Sequence, residues 1–283
     1  MKIKMKFPKR EHYQALVVDI AEKIRGANIC FYLYGSFTRP NDFVPGRSDI
    51  DGGFILDTEF ITPKKDVVAL SRLLDECLTH AEENAGISPS DPGININFNL
   101  MDRGTNRDGR FLAYDSTYTD YLKNMAHISS GPLVFISEMN EMNYKREALR
   151  SAAYNLRKVR NGLLSHVIDL RRNPQRAGRS VLSSMSILVG MPKKLLEILG
   201  KELYFENGAF FETFREIFPE YNPEMYQEVR EIMQDPAAYF SIPESANSFD
   251  YYARCVTATE EMIGAYVKRF PHITQMEVRT LSD

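Results

Sequence analysis

The sequence predicts an α+β chain: a small mixed β-sheet backed by helices, followed by an all-α helical bundle. Three observations predict it. Over the first 100 residues, segments with helical periodicity alternate with short apolar runs of strand character. A Gly35-Ser36 turn closes the first of those runs, and the triplet Asp49-Ile50-Asp51 opens the second. From Tyr144 onward the apolar residues keep helical spacing only, punctuated by prolines. The expected division is residues 1–140 for the sheet domain and 141–283 for the helical domain.

Each element has its own justification. Tyr13, Leu16, Val17, Ile20 and Ile24 recur at helical spacing, and Gly26 marks a stop, so residues 11–25 read as a helix. Residues 29–34 (ICFYLY) and 49–56 (DIDGGFIL) are apolar runs bounded by turn residues and read as strands. Between them lies a long loop through Pro40, Pro45 and Gly46. A second amphipathic helix spans 64–84, with Val67, Leu70, Leu74, Cys77 and Ala81 on one stripe and Gly86 at its end. In residues 94–100, Ile94, Ile96, Phe98 and Leu100 alternate with Asn95, Asn97 and Asn99, the pattern of a half-buried strand. The tract RGTNRDGR at 103–110 reads as a loop. In the second half Leu149, Ala152, Leu156, Val159, Leu163 and Val167 form a helical stripe, and further helices are expected near 180–200, 208–217, 223–234 and 247–269.

The chemistry concentrates at the turn and the acidic triplet. Positions i and i+2 of a strand share a face, so Asp49 and Asp51 project together. Two such carboxylates repel unless a cation lies between them, and Mg²⁺ is bound by one or two carboxylates plus substrate phosphates. The Gly-Ser turn offers backbone N–H groups, a hydroxyl and close approach, which suit a phosphate. Gly52 and Gly53 weaken the second strand locally, either as a bulge or to admit a ligand or the neighbouring backbone.

At these residues the chain resembles the DNA polymerase β-like nucleotidyltransferase superfamily. The shared pattern is a hydrophobic residue, Gly, Gly or Ser, a spacer, then Asp, hydrophobic, Asp, with Arg39 and Ser48 where the small-molecule branch often carries Arg and Ser. The stretch Tyr34–Leu56 looks most like the aminoglycoside and lincosamide nucleotidyltransferases and their minimal relatives. The resemblance implies a nucleoside triphosphate, such as ATP, and two Mg²⁺ ions. Asp49 and Asp51 would be the metal ligands, and Gly35, Ser36, Arg39 and Ser48 the nucleotide-binding positions, with Arg39 stabilising the leaving group and Arg47 as its alternative. A hydroxyl of a small polar acceptor, aminoglycoside-like, would attack the α-phosphorus and expel pyrophosphate. Members usually add a third carboxylate from the strand that corresponds here to 94–101. In this chain the metal-facing positions are asparagines, so Asp102 is the candidate for the third catalytic acid, if a bulge or the strand's end re-aims it; otherwise Asp108 or Asp115 takes the role or the site is weakened.

Composition narrows the classes. A formal net charge of −3 gives no broad basic surface, which argues against a nucleic-acid substrate. The basic start has no apolar segment behind it, so a secretory signal is not expected. Val181–Met191 is too short to span a bilayer. Cys30, Cys77 and Cys255 are isolated, which fits a reducing cytoplasm and no structural zinc. Acidic residues of the helical half (Glu202, Glu206, Glu212, Glu216, Glu220, Glu224) could attract a cationic acceptor, although most read as solvated faces. Arg160-Asn161 and His166 match the RNxxxxH pattern of HEPN-type ribonucleases, which pair across a homodimer. On an unbroken helix the two side chains lie about 120° apart. The competing functions are a nucleotide-binding module without turnover, and transfer to a protein or RNA partner.

Overall fold

The computed structural model describes residues 5–39, 42–59, 62–88, 91–104, 127–131, 141–200, 209–245 and 247–271. It is an α+β structure with two compact units. The first comprises 1–147 and 232–239, the second 148–231 and 240–283.

In the first unit, β1 (Ile29–Tyr34), β2 (Ile50–Leu56), β3 (Ile96–Asp102) and β4 (His127–Ser130) form one sheet in the order β3-β2-β1-β4. The sheet is mixed. β1 pairs antiparallel with β2 and β4, and β2 pairs parallel with β3 across the helix α2 (Lys64–Ala85). A parallel neighbour needs such a crossover, whereas the antiparallel pair needs only the loop 35–49. Helix α1 (Arg10–Lys23) buries Tyr13, Leu16 and Ile20 at three- and four-residue steps. Helix α2 buries Leu70, Cys77 and Ala81, and Gly86 ends it in the left-handed conformation (φ 61°) that a C-terminal cap requires.

Both helices cover one face of the sheet. Phe31 and Phe54 stack at 4.9 Å, and Phe98 meets each edge-on at 5.6 Å. Strand periodicity puts Phe31, Leu33, Ile50, Phe54 and Ile96 on this apolar side. The third strand departs from expectation. Ile94 is buried ahead of it, and helical cover reaches Phe98 but not Leu100, which is 38% exposed.

The second unit is helical: α3 (Glu141–Arg172), α4 (Pro174–Ile198), α5 (Ala209–Ile217), α6 (Glu224–Ile232), α7 (Pro236–Ser241) and α8 (Ser248–Arg269), with the start of α3, the last residue of α6 and most of α7 in the first. Asn173 separates α3 from α4. Its side chain accepts the Arg176 N–H, and Pro174 needs no donor at the first helical position. Helix α3 runs unbroken through Gly162. There the Tyr252 hydroxyl of α8 donates to the Val159 carbonyl at 3.0 Å, and a Cβ on Gly162 would lie 2.1 Å from the Tyr252 hydroxyl oxygen. The α3 stripe is shifted by one residue at its end: His166 is wholly buried while Val167 is 52% exposed. Among the described residues, no helix is long and apolar enough to cross a membrane.

Candidate active site

The face of the sheet opposite the helices carries the polar residues. Register sets Tyr34 opposite Asp51, and Asp51 beside Asn97. Residues paired in register share a face, so Tyr34, Asp51 and Asn97 project together. The Asn97 amide donates to Asp51 Oδ1 at 2.9 Å, and Asn99 Nδ2 donates to the Tyr34 hydroxyl at 3.3 Å.

The turn after β1 lies against this row. Gly35 has φ 78° and ψ −157°, a conformation that only glycine adopts readily. A Cβ there would stand 2.5 Å from Asp51 Oδ2. Glycine is therefore required twice, by its backbone and by the carboxylate pressed against it. A short 3-10 turn follows over Ser36–Thr38, with the Thr38 hydroxyl donating to the Gly35 carbonyl at 2.9 Å.

Electrostatics couples the acidic pair. Burial, and then the negative charge of Asp49, push the Asp51 carboxyl up to about 7. The Asn97 hydrogen bond and the Arg39 charge pull the other way. Asp49 immediately precedes β2 and is half-buried. The two acids therefore sit in each other's field, with Asp51 at the turn.

The loop between turn and triplet is held by specific contacts. Tyr13 packs edge-on to Phe43 at 4.8 Å, and its hydroxyl accepts the Gly46 N–H at 2.9 Å. Arg10 lies over the Phe43 ring at 5.4 Å and donates to the Phe37 carbonyl at 3.0 Å. Arg39 forms an ion pair with Asp42, both side chains nearly buried. An arginine with an aspartate three residues on was the available signal for that pair. Ser48 is buried, and its Oγ accepts the Val44 N–H at 3.0 Å and Arg47 Nη2 at 3.3 Å. Its hydroxyl thus pins the loop, a structural role that the resemblance does not imply. Arg47 lies in the field of Asp49, with its guanidinium 5.9 Å from the centre of the Tyr239 ring and a buried Nε that has no hydrogen-bond partner. Burial lowers its pKa.

Other expected residues fall elsewhere. Asp102 pairs with Leu56, five positions from the Asp51–Asn97 pair, and the register runs between them without a bulge. At about 3.3 Å per residue that is about 16 Å, so Asp102 is not brought to the acidic pair. Asn97 occupies the place beside Asp51. Asp108, Asp115, Glu202 and Glu206 lie outside the described residues. The Gly52–Gly53 pair makes no bulge. A Cβ on Gly52 would stand 2.5 Å from the Tyr32 carbonyl oxygen, and one on Gly53 2.4 Å from that of Asn99. Close strand approach is what these glycines allow. In the second unit His166 packs between Phe249 and Tyr252, while Arg160 is at the surface and donates to Glu260 at 2.6 Å. The two are not presented together.

Among the described residues no cluster of three or more His, Cys, Asp or Glu could hold a metal ion. The Asp49–Asp51 pair still fits one divalent cation of the kind that takes two carboxylates and leaves its other positions to phosphates and water. A positive charge would relieve the repulsion that raises Asp51.

No family model and no curated protein matches the chain. Among solved structures it is similar to the spectinomycin adenyltransferase AAD(9) from Enterococcus faecialis, crystallised with ATP and spectinomycin. The two are 11% identical with a TM-score of 0.48, over 89% of this chain and 98% of that one. A likeness of that degree decides nothing about the site, and the functional reading rests on the residues above.

Proposed function

We propose that this chain transfers a nucleoside monophosphate, AMP from ATP in the simplest case, to a hydroxyl of a small polar acceptor and releases pyrophosphate. The observation that carries the reading is the contact of Asp51 with Gly35. It sets one carboxylate, in the field of Asp49, against a turn whose backbone can approach a phosphate closely.

Asp49 and Asp51 would hold Mg²⁺, which when bound neutralises phosphate charge and lowers the pKa of an attacking oxygen. Gly35 and the N–H groups at the start of the 3-10 turn would cradle the outer phosphates. Arg47 is the better candidate for leaving-group charge than Arg39, because Arg39 is already paired with Asp42. Asn97 orients Asp51 through its amide. An amide cannot accept a proton, so Asn97 does not replace the base role of a third acid.

That substitution favours a second reading, a nucleotide-binding module with little turnover. Pyrophosphate release from ATP and Mg²⁺, measured with and without a panel of hydroxylated acceptors, separates the two. Acceptor-dependent release establishes the transferase. Triphosphate binding by calorimetry with no release on any acceptor establishes the module. Asn97→Asp sharpens the result: under the transferase reading it restores a proton acceptor and raises turnover. No binding of triphosphate at all overturns both.

A further inference from the structure

The second unit contains a groove of about 600 Å³ lined by Tyr154, Arg157, Lys158, Asn161, Ser165 and Arg176, with Gly162 and Ser180. The spacing explains the lining. Tyr154, Arg157 or Lys158, Asn161 and Ser165 recur at three- and four-residue steps and form one face of α3. Arg176 and Ser180, four apart on α4, supply the other wall.

Its chemistry is one-sided. Residues 148–180 carry eight Lys and Arg against one acid, Asp169, in a chain whose formal net charge is −3. The overall charge therefore conceals a local excess. Asp169 is buried beneath the rim, where it accepts from Ser165 Oγ at 2.9 Å and lies 3.4 Å from Arg176 Nε. No carboxylate among the described residues pairs with Arg157 or Lys158. The Arg157 guanidinium lies 5.6 Å from the centre of the Tyr154 ring, and Tyr154 is 56% exposed. The groove thus offers cations, amide and hydroxyl donors and an exposed tyrosine ring with a guanidinium over one side. Interleaved cations and stacking surface suit a phosphate backbone with unpaired bases. The large exposed aliphatics of α3, Leu164, Val167, Ile168 and Leu170, are not part of the lining, so the groove gives lipid chains nothing to bury.

We infer that this groove binds single-stranded nucleic acid. Binding does not require cleavage, since His166 is wholly buried. It is also independent of the triphosphate reading, because none of these residues belongs to the sheet.

The test is fluorescence anisotropy of the full chain with a labelled single-stranded RNA of about twelve nucleotides, titrated at several salt concentrations. Two double variants are compared. R157E/K158E reverses the groove, and K65E/R72E makes the same charge change on exposed residues of α2. The expected result is at least about tenfold weaker binding for the groove variant and less than about threefold for the control. The slope of log affinity against log salt should fall by about 1.4 when two cations are lost, at about 0.7 per phosphate contact. Circular dichroism should give the same melting temperature for both. D49N/D51N should bind the RNA as the parent does. Equal weakening by both double variants, no binding by the parent, or binding to anionic vesicles in place of RNA overturns the inference and leaves the triphosphate reading standing.

Discussion

Two motifs in this chain pair a basic or acidic residue with a partner a few positions away, and the two units treat them in opposite ways. In the sheet unit, Asp49 and Asp51 stand two apart at a strand, so their side chains converge, and the register brings Asp51 onto the Gly35 turn. In the helical unit, Arg160 and His166 stand six apart on an unbroken helix, which separates them by about 120°. Arg160 goes to solvent and Glu260, His166 to the aromatic interior. Spacing has chemical meaning only through the period of the element that carries it.

The largest expected effect breaks the comparison at the acidic pair. Asp49→Asn or Asp51→Asn should reduce metal-dependent turnover by about 10³-fold, the rate equivalent of the several kcal/mol a metal ion contributes. His166→Phe should leave turnover within about twofold, since that ring touches only packing partners. Steady-state pyrophosphate release checks both.

Next comes the helix junction. Gly162→Ala places a methyl against the Tyr252 hydroxyl and should destabilise the second unit by about 1–3 kcal/mol, as overpacking does. In a Tyr252→Phe background, which removes the clashing oxygen, that penalty should shrink. Urea denaturation of the four variants gives the coupling. No coupling would mean that α3 and α8 do not approach as described.

The pH dependence sharpens the contrast further. Asp51 has a folded pKa raised to about 7 by burial and Asp49, so in the apo protein its contribution to stability falls as pH rises from about 4 to about 7. Asp51→Asn should therefore raise the melting temperature more at pH 8 than at pH 5. His166 behaves in the opposite sense. Burial depresses its pKa, so its contribution is present above the ordinary histidine range and is lost as pH falls. His166→Phe should flatten the acid side of the melting profile and leave the alkaline side alone.

How much was legible follows from the same periods. The strands read at 29–34 and 49–56 and the helices read at 11–25 and 64–84 fall within a residue or two of those observed, because alternation and turn residues agree there. The asparagine row at 95, 97 and 99 was equally visible, and Asn97 does face Asp51. What could not be read were pairings made by the loop. Ser48 is a nucleotide position by the resemblance alone, and the contact its hydroxyl makes to the Val44 N–H had no sequence signal. Arg39 is likewise a nucleotide position by the resemblance, and its ion pair with Asp42 is a contact of the loop. Asp102 needed a bulge or the strand's end to re-aim it: the parallel register contains no bulge, and the end of β3 leaves Asp102 five positions from the Asp51–Asn97 pair. Net charge is an average over the chain: the basic stretch at 148–180 is offset by acids elsewhere.

The smallest expected effect concerns that loop. Ser48→Ala removes an acceptor for the Val44 N–H and Arg47 and should destabilise the first unit by about 1–3 kcal/mol. Triphosphate affinity, measured by calorimetry well below the melting temperature, should change less than about threefold. A much larger loss of affinity at unchanged stability would return Ser48 to the nucleotide.

The most direct measurement is a crystal grown with a non-hydrolysable ATP analogue and Mn²⁺, with anomalous scattering recorded at the manganese edge. The account expects a manganese peak coordinated by Asp49 and Asp51, and phosphates against the backbone of Gly35 and Ser36. A bound analogue with its phosphates elsewhere, or manganese that ignores both aspartates, would contradict it.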